Sequence, residues 1–113
     1  MPRHAALFYQ TPSGREVVLD WIRSFSAEDR KTIGEDLRTV QIGFPLGLPL
    51  CLNLGDGLWE VRSSLPSKRE VRLIFFQSRA PKALVIVHGF VKKTQTTSAA
   101  DLNLARNRMR EFL

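Results

Sequence analysis

The residues best able to do chemistry are one carboxylate and a set of basic side chains in the second half of the chain. They are Glu60, Arg62, Lys68, Arg69, Arg72, His88, Lys92 and Lys93. Arginine can bind a phosphate through two parallel hydrogen bonds, and a carboxylate or an imidazole can take up a proton. Together these groups suit the cleavage of a phosphodiester, which needs a proton acceptor, cations that stabilise the charged transition state, and a donor for the leaving oxygen.

Each of these residues also has a purely structural interpretation. Glu60 and Arg62 lie two positions apart on a predicted strand and could form ordinary ion pairs on one face of it. His88 lies in an apolar run, where a hydrogen-bonded structural histidine is common. Lys92 and Lys93 could serve only to keep the end of a strand in solvent.

Several familiar classes of enzyme lack their motifs in this sequence. We find no phosphate-binding glycine loop, no Gly-x-Ser-x-Gly elbow and no metal-binding histidine pair. Cys51 is the only cysteine, which excludes an intrachain disulfide and a cysteine-rich zinc site. It lies among leucines, and we predict a buried, unreactive thiol. We therefore expect no metal and no cofactor.

Length and charge narrow the class of protein. The 113 residues predict a single domain over residues 1–113. Residues 1–57 contain 6 basic and 7 acidic residues, whereas residues 58–113 contain 11 basic and 4 acidic ones, so the net charge of +6 belongs to the second half. The positive charge of the second half favours polyanionic partners. No apolar run is long enough to span a membrane, and the single cysteine is typical of the cytoplasm.

The first half predicts a short strand and two helices. The aromatic run at residues 7–9 favours a strand. Ser13 and Glu16 form a capping box that predicts a helix of about 12 residues, and Ser26 with Asp29 predicts a second helix, which ends at Gly43. The two helices should pair as a hairpin. Residues 44–57 predict an irregular connection with a short strand near residues 50–54.

The second half changes to the period of two that is typical of strands. We predict strands near residues 58–62, 70–76 and 83–90, joined as an antiparallel meander. In the middle strand, Val71, Leu73 and Phe75 share one face, and the alternate residues share the other. Ser98 caps a last amphipathic helix. The prediction is an α+β fold in the order β-α-α-β-β-β-α, with a helical hairpin packed on a small antiparallel sheet and a C-terminal helix.

Three segments carry a resemblance to a known family. They are Gly57-Leu58-Trp59-Glu60-Val61-Arg62, Arg72-Leu73-Ile74-Phe75 and His88-Gly89-Phe90-Val91-Lys92-Lys93-Thr94-Gln95. In these segments, and over nearly its whole length, the chain resembles the RelE/HigB-like toxins of type II toxin–antitoxin systems, in their phage-derived branch. The resemblance implies a RelE-like toxin domain that acts as a cytoplasmic, metal-independent endoribonuclease, or mRNA interferase. It further implies mRNA cleavage on the ribosome, inhibition of translation, and neutralisation by a cognate antitoxin, typically a helix-turn-helix protein.

The resemblance also implies roles for individual residues. Arg62 and Arg72 resemble the strand arginines that bind the scissile phosphate, and Lys92 and Lys93 resemble the basic pair that holds the RNA backbone and assists proton transfer. Some relatives use a tyrosine or histidines near the C-terminus, which the last helix here lacks. The general base is therefore open among Glu60, His88 and Lys93. Further RNA contacts are expected from Lys68, Arg69, Thr94 and Arg106. The alternative is a non-catalytic basic module that binds RNA, the ribosome or an antitoxin.

Overall fold

A computed structural model describes residues 3–93 and 96–113, and this part of the chain forms three helices and a five-stranded sheet. The elements in order are β1 (Ala5–Phe8), α1 (Val17–Arg23), α2 (Ala27–Gly43), β2 (Cys51–Gly55), β3 (Leu58–Ser64), β4 (Glu70–Arg79), β5 (Lys82–Val91) and α3 (Ala99–Phe112). The predicted α+β fold, with two helices, a meander and a C-terminal helix, is confirmed. None of the helices in the described ranges is long and apolar enough to cross a membrane.

The sheet is larger than the predicted meander. Its strand order is β1-β5-β4-β3-β2, with β2 to β5 antiparallel and β1 parallel to β5. The sheet is therefore mixed rather than wholly antiparallel. β2 joins β3 through Asp56 and Gly57, both with positive φ (54° and 85°). Asp-Gly favours such two-residue hairpin turns because both residues tolerate the left-handed region.

The strands bury both faces of the sheet, as their apolar alternation predicts. Val71, Leu73 and Phe75 of β4 belong to a core beneath α1 and α2. Ile74 and Phe76 belong to a second cluster, which also contains Ala105 of α3 and Val85 and Val87 of β5. The helical pair thus covers one face and α3 covers the other, so a polar group on the α3 face lies between the sheet and the C-terminal segment.

Two of the three predicted helix starts are confirmed. The Asp29 N–H donates to Ser26 Oγ (3.2 Å), and the Asp101 N–H donates to Ser98 Oγ (3.1 Å). The predicted start at Ser13 is wrong, because residues 11–15 instead form a turn that includes Gly14 at a φ of 87°. The Arg15 N–H donates to Thr11 Oγ1 there, and α1 begins at Val17 and has 7 residues rather than about 12.

A β-bulge in β5 decides which side chains reach the α3 face. Ile74 pairs with His88, but the next residue of β4, Phe75, pairs with Ile86, so Val87 is an additional residue. Val87 packs in the cluster beneath α3, and His88 bonds to Asp101 at the start of α3. Consecutive residues at a bulge can point to one face. Beyond the bulge, Phe90 lies opposite Arg72.

Candidate functional site

Strands β3 and β4 bring Arg62 and Arg72 side by side. The two residues are direct partners in the register of this antiparallel pair. Glu60 lies two positions before Arg62 and therefore on the same face. Its Oε1 atom is 3.5 Å from Arg72 Nε and 3.7 Å from Arg62 Nε. We call these three residues the arginine cluster.

Glu60 is held by the segment before α3 as well as by residues of the sheet. Its side chain is 2% exposed, and its Oε2 atom accepts a hydrogen bond from Thr97 Oγ1 at 2.5 Å. Thr97 lies just before α3, so this bond ties the segment that follows β5 to the cluster. A buried carboxylate needs paired charge and hydrogen bonds, and Glu60 has both. Its geometry is that of a group that orients two arginines.

The two arginines differ in how fully their donors are used. Arg72 is buried, its Nη1 donates to the Val71 carbonyl (3.2 Å), and the same atom lies 3.5 Å from Glu70 Oε1. Arg62 is 28% exposed. Its Nε atom is nevertheless buried and has no hydrogen-bond partner within residues 3–93 and 96–113. A buried donor without an acceptor is rare. Because this atom is shielded from solvent, only the exposed part of the Arg62 side chain can meet a ligand.

The end of β5 forms the rim of this cluster. Lys92 is half-buried and Lys93 is exposed. The backbone N–H of Lys92 donates to the Glu70 carbonyl (2.7 Å), which holds this end of the strand on β4. Lys92 and Phe90 line a small hollow over the arginine cluster. Of the two lysines, the structure therefore places Lys92 at the arginine cluster, whereas Lys93 lines a neighbouring cleft.

His88 is engaged with the last helix. Its Nε2 atom lies 2.7 Å from Asp101 Oδ1, and its ring stacks on Phe90 with the centroids 5.6 Å apart. Burial acts to raise the pKa of Asp101, but hydrogen bonds from His88 and Ser98 outweigh it and hold that pKa below its usual range. His88 thus anchors the start of α3 to the sheet.

The other residues predicted to contact RNA lie outside the arginine cluster. Arg69 pairs with buried Asp29 at 3.2 Å and stacks over Phe25, a core residue of the opposite face. Arg106 pairs with Asp56 in the turn between β2 and β3, at 3.3 Å. Lys68 occupies a turn at a φ of 73°. Thr94 falls outside the described residues.

Two residues important to the geometry, Thr97 and Asp101, were not among the predicted site residues. Thr97 has no local signal, because a threonine before a helix is ordinary and its bond to Glu60 spans 37 positions. Asp101 is visible as a capping residue, but its contact with His88 depends on the bulge. The residue types in the sequence were enough to predict the arginines, but only the tertiary structure identifies the residues that hold them in place.

Groups that could bind a metal are not assembled in the described ranges, where no three His, Cys, Asp or Glu side chains come together. Cys51 is fully buried in the core, as predicted. Burial, above all, raises the pKa of its thiol to about 11. The thiol is therefore protonated and inaccessible at neutral pH.

Comparison with known proteins gives one family. A family model described as "Phage derived protein Gp49-like (DUF891)" matches residues 20–110. The match extends from α1 into α3 and includes the arginine cluster and its rim. No curated protein matches the chain.

Proposed function

This chain belongs to the Gp49-like family of phage-derived proteins, and we propose that it is the toxin of a type II toxin–antitoxin system. The family is associated with RelE-like and toxin-like proteins. The proposed activity is that of an endoribonuclease that cleaves mRNA, with the ribosome presenting the substrate. The residues of the arginine cluster and its rim supply the chemistry for this proposal.

The observation that carries the proposal is the pairing of Arg62 and Arg72 over Glu60. Their guanidinium groups lie on one face, at 3.7 and 3.5 Å from the same carboxylate oxygen. This arrangement holds two planar cations close together, and the side chain of Arg62 is partly exposed. In many enzymes the largest part of the rate enhancement comes from fixed charges and dipoles at the position where charge develops in the transition state. The pentacoordinate phosphate formed during RNA cleavage is negatively charged, so two fixed arginines would stabilise it.

The rim supports binding of the RNA backbone and transfer of a proton. Lys92 lines the hollow over the cluster and Lys93 lines the cleft next to it, and we propose that they contact the phosphates that flank the one held by the arginines. Of the three candidates for the general base, Glu60 is bonded to Thr97 and His88 to Asp101. Lys93 is exposed, and we propose that it is the group that exchanges a proton with the RNA.

The charge distribution supports an acidic inhibitor. We infer a cognate antitoxin, a helix-turn-helix protein, that covers the basic half of the chain with carboxylates. Ion pairs on an exposed surface are screened by salt. The affinity of toxin for antitoxin should therefore fall when the salt concentration is raised, and an affinity that does not change with salt would contradict this mode of inhibition.

The test of the proposed function is cleavage of mRNA in cells that express the chain. Primer extension should reveal new 5′ ends as growth stops, and both effects should be lost in Arg72→Ala and in Lys93→Ala. Arg79→Ala is the matched control, since Arg79 is an exposed arginine at the far end of the same strand, β4. It removes the same charge and should retain cleavage.

Two outcomes would contradict the nuclease. Intact transcripts under conditions that stop growth would favour a non-catalytic module that binds RNA or the ribosome. Normal growth with the wild-type chain would favour a fold that has kept only its binding to an antitoxin. Because Arg72 is buried, thermal unfolding of Arg72→Ala must be measured beside cleavage, so that loss of the fold is not mistaken for loss of chemistry.

A further inference from the structure

A second cleft adjoins the arginine cluster on the α3 face of the sheet. It has a volume of about 330 Å³, a size at the lower end of the range for small-molecule sites. Its lining includes Phe90, Lys92, Lys93, Ser98 and Asp101. Phe90 and Lys92 also line the hollow over the cluster, so the two spaces are neighbours.

One wall of this cleft is aromatic. Phe90 is partly exposed, and His88 stacks on its ring at an interplanar angle of 29°. The imidazole is itself fixed by Asp101, so the phenyl ring is held in one orientation. A fixed aromatic ring beside a phosphate site is the arrangement on which proteins stack the unpaired bases of single-stranded RNA.

Another part of the cleft wall offers hydrogen-bond acceptors. Asp101 Oδ1 is bonded to His88 and Oδ2 accepts from Ser98 Oγ (2.7 Å). Each carboxylate oxygen has two acceptor positions, so both oxygens can accept one more hydrogen bond. The side chain is 28% exposed, and a ligand in the cleft can reach it.

We propose that this cleft binds one nucleobase of the RNA strand and prefers a base that carries an exocyclic amino group over uracil. The inference rests on the proposed function, because it takes single-stranded RNA as the ligand of the arginine cluster. Cytosine can donate its amino group to Asp101, as it does to acidic side chains elsewhere. In the same orientation uracil presents its 4-carbonyl oxygen, which would face the carboxylate without a proton between them, and its N3–H would reach Asp101 only if the base shifted in the cleft.

The experiment compares two oligomers of equal charge and ring size. Seven-residue 2′-O-methyl oligocytidylate and oligouridylate cannot be cleaved through a 2′-hydroxyl, so fluorescence anisotropy reports binding alone. The full chain should bind the cytidine oligomer about tenfold more tightly, a difference that one good contact to a base edge provides. Arg62→Ala should weaken both oligomers and leave their ratio unchanged.

Two variants separate the two walls of the cleft. Asp101→Asn adds an amide donor that can pair with the uracil carbonyl, so the preference should shrink to within about twofold. Phe90→Leu keeps an apolar side chain but removes the stacking plane, and should weaken both oligomers about five- to tenfold with the preference retained. Arg79→Ala is the control for general effects of the charge. The ratio of two affinities in one preparation does not depend on the folded fraction, so partial unfolding cannot imitate the expected result.

The outcomes distinguish this inference from the proposed function. Discrimination between the oligomers without any mRNA cleavage in cells would support the base subsite and overturn the nuclease. Cleavage in cells with equal affinities for the two oligomers would overturn the subsite alone. An unchanged ratio in Asp101→Asn would also overturn it, and so would a failure of the wild-type chain to bind either oligomer.

Discussion

Two buried carboxylates pair with arginine on opposite faces of the sheet, and they are satisfied in different ways. Asp29, 1% exposed, accepts from the Ser67 N–H and from Arg69, each at 3.2 Å. Glu60 is about equally buried, but it lies between two arginines, at 3.5 and 3.7 Å. The first pair joins a loop to a helix. The second group has two cations for one carboxylate, and an excess of positive charge is what a site for an anion requires.

The largest effect is expected when Arg62 is removed. In Arg62→Ala we expect cleavage of a short mRNA on the ribosome to slow by about two to three orders of magnitude, the usual cost of losing one donor to a transition-state anion. The melting temperature should change little, because Arg62 is partly exposed and its Nε is not hydrogen-bonded. Single-turnover kinetics and thermal unfolding measure the two effects. A loss of rate below threefold would move the phosphate site elsewhere.

Thr97 tests whether Glu60 must be held in place. Thr97→Val keeps the shape of the side chain but removes its bond to Glu60, and cleavage should slow about tenfold, the scale of a hydrogen bond to a charged group. Thr97→Ser should restore the rate because it restores the hydroxyl. Thr39→Val is the matched control, since Thr39 donates to a carbonyl on the exposed surface of α2. Equal rates for Thr97→Val and Thr39→Val would contradict a positioning role.

The pair on the other face should affect stability without affecting cleavage. Arg69→Ala leaves Asp29 buried with only Ser67, and we expect the melting temperature to fall by about 4 to 8 °C, a shift measurable in a domain of this size. Arg23→Ala breaks an exposed pair with Asp20 and should have almost no effect. Differential scanning calorimetry compares the two variants. If Arg69→Ala slowed mRNA cleavage at an unchanged melting temperature, Arg69 would belong to the site.

The smallest expected effect is on the acid limb of the stability curve. Hydrogen bonds from Ser67, followed by those from Arg69, outweigh burial and lower the pKa of Asp29. In the unfolded chain this carboxyl has its usual pKa of about 3.9. The unfolded state therefore binds more protons between the two values, and the stabilisation, complete above about pH 4, is lost as the pH falls through the folded pKa. Asp29→Asn should flatten this limb of a melting-temperature profile, and an unchanged slope would contradict the assignment.

Local sequence patterns predicted what depends on neighbouring residues. The alternation in β4 gave the correct faces of the sheet, and Ser26 and Ser98 gave two helix starts, because both signals operate over a few positions. Ser13 failed because the turn around Gly14 uses the same residue types. Asp56-Gly57 is a local signal for the β2–β3 hairpin. The parallel pairing of β1 with β5 has no such signal, since it joins residues about 80 positions apart in the chain.

The candidate site was predictable by residue type and only partly by position. Arg62, Arg72, Lys92 and Lys93 stand out as basic residues on adjacent predicted strands. That Arg69 pairs with Asp29 could not be read from sequence, because a buried acidic residue 40 positions away determines it. The bond from Thr97 to Glu60 is likewise a tertiary contact. Charge identified the candidates, and only the tertiary structure shows that Arg62 and Arg72 share one carboxylate while Arg69 and Arg106 each pair with a different acidic residue.

The bulge at Val87 places two consecutive side chains, Val87 and His88, on the α3 face of the sheet. Loss of Val87 would remove one apolar side chain from the cluster beneath α3, but His88 would still pair with Ile74 and Phe90 with Arg72, because both pairs lie beyond the bulge. Gly89 has no room for a side chain, because a Cβ atom on it would lie 2.6 Å from Trp21. The register of the last residues of β5 on β4, rather than the length of β5 before the bulge, therefore keeps Gly89 against α1 and places Phe90 over the arginine cluster.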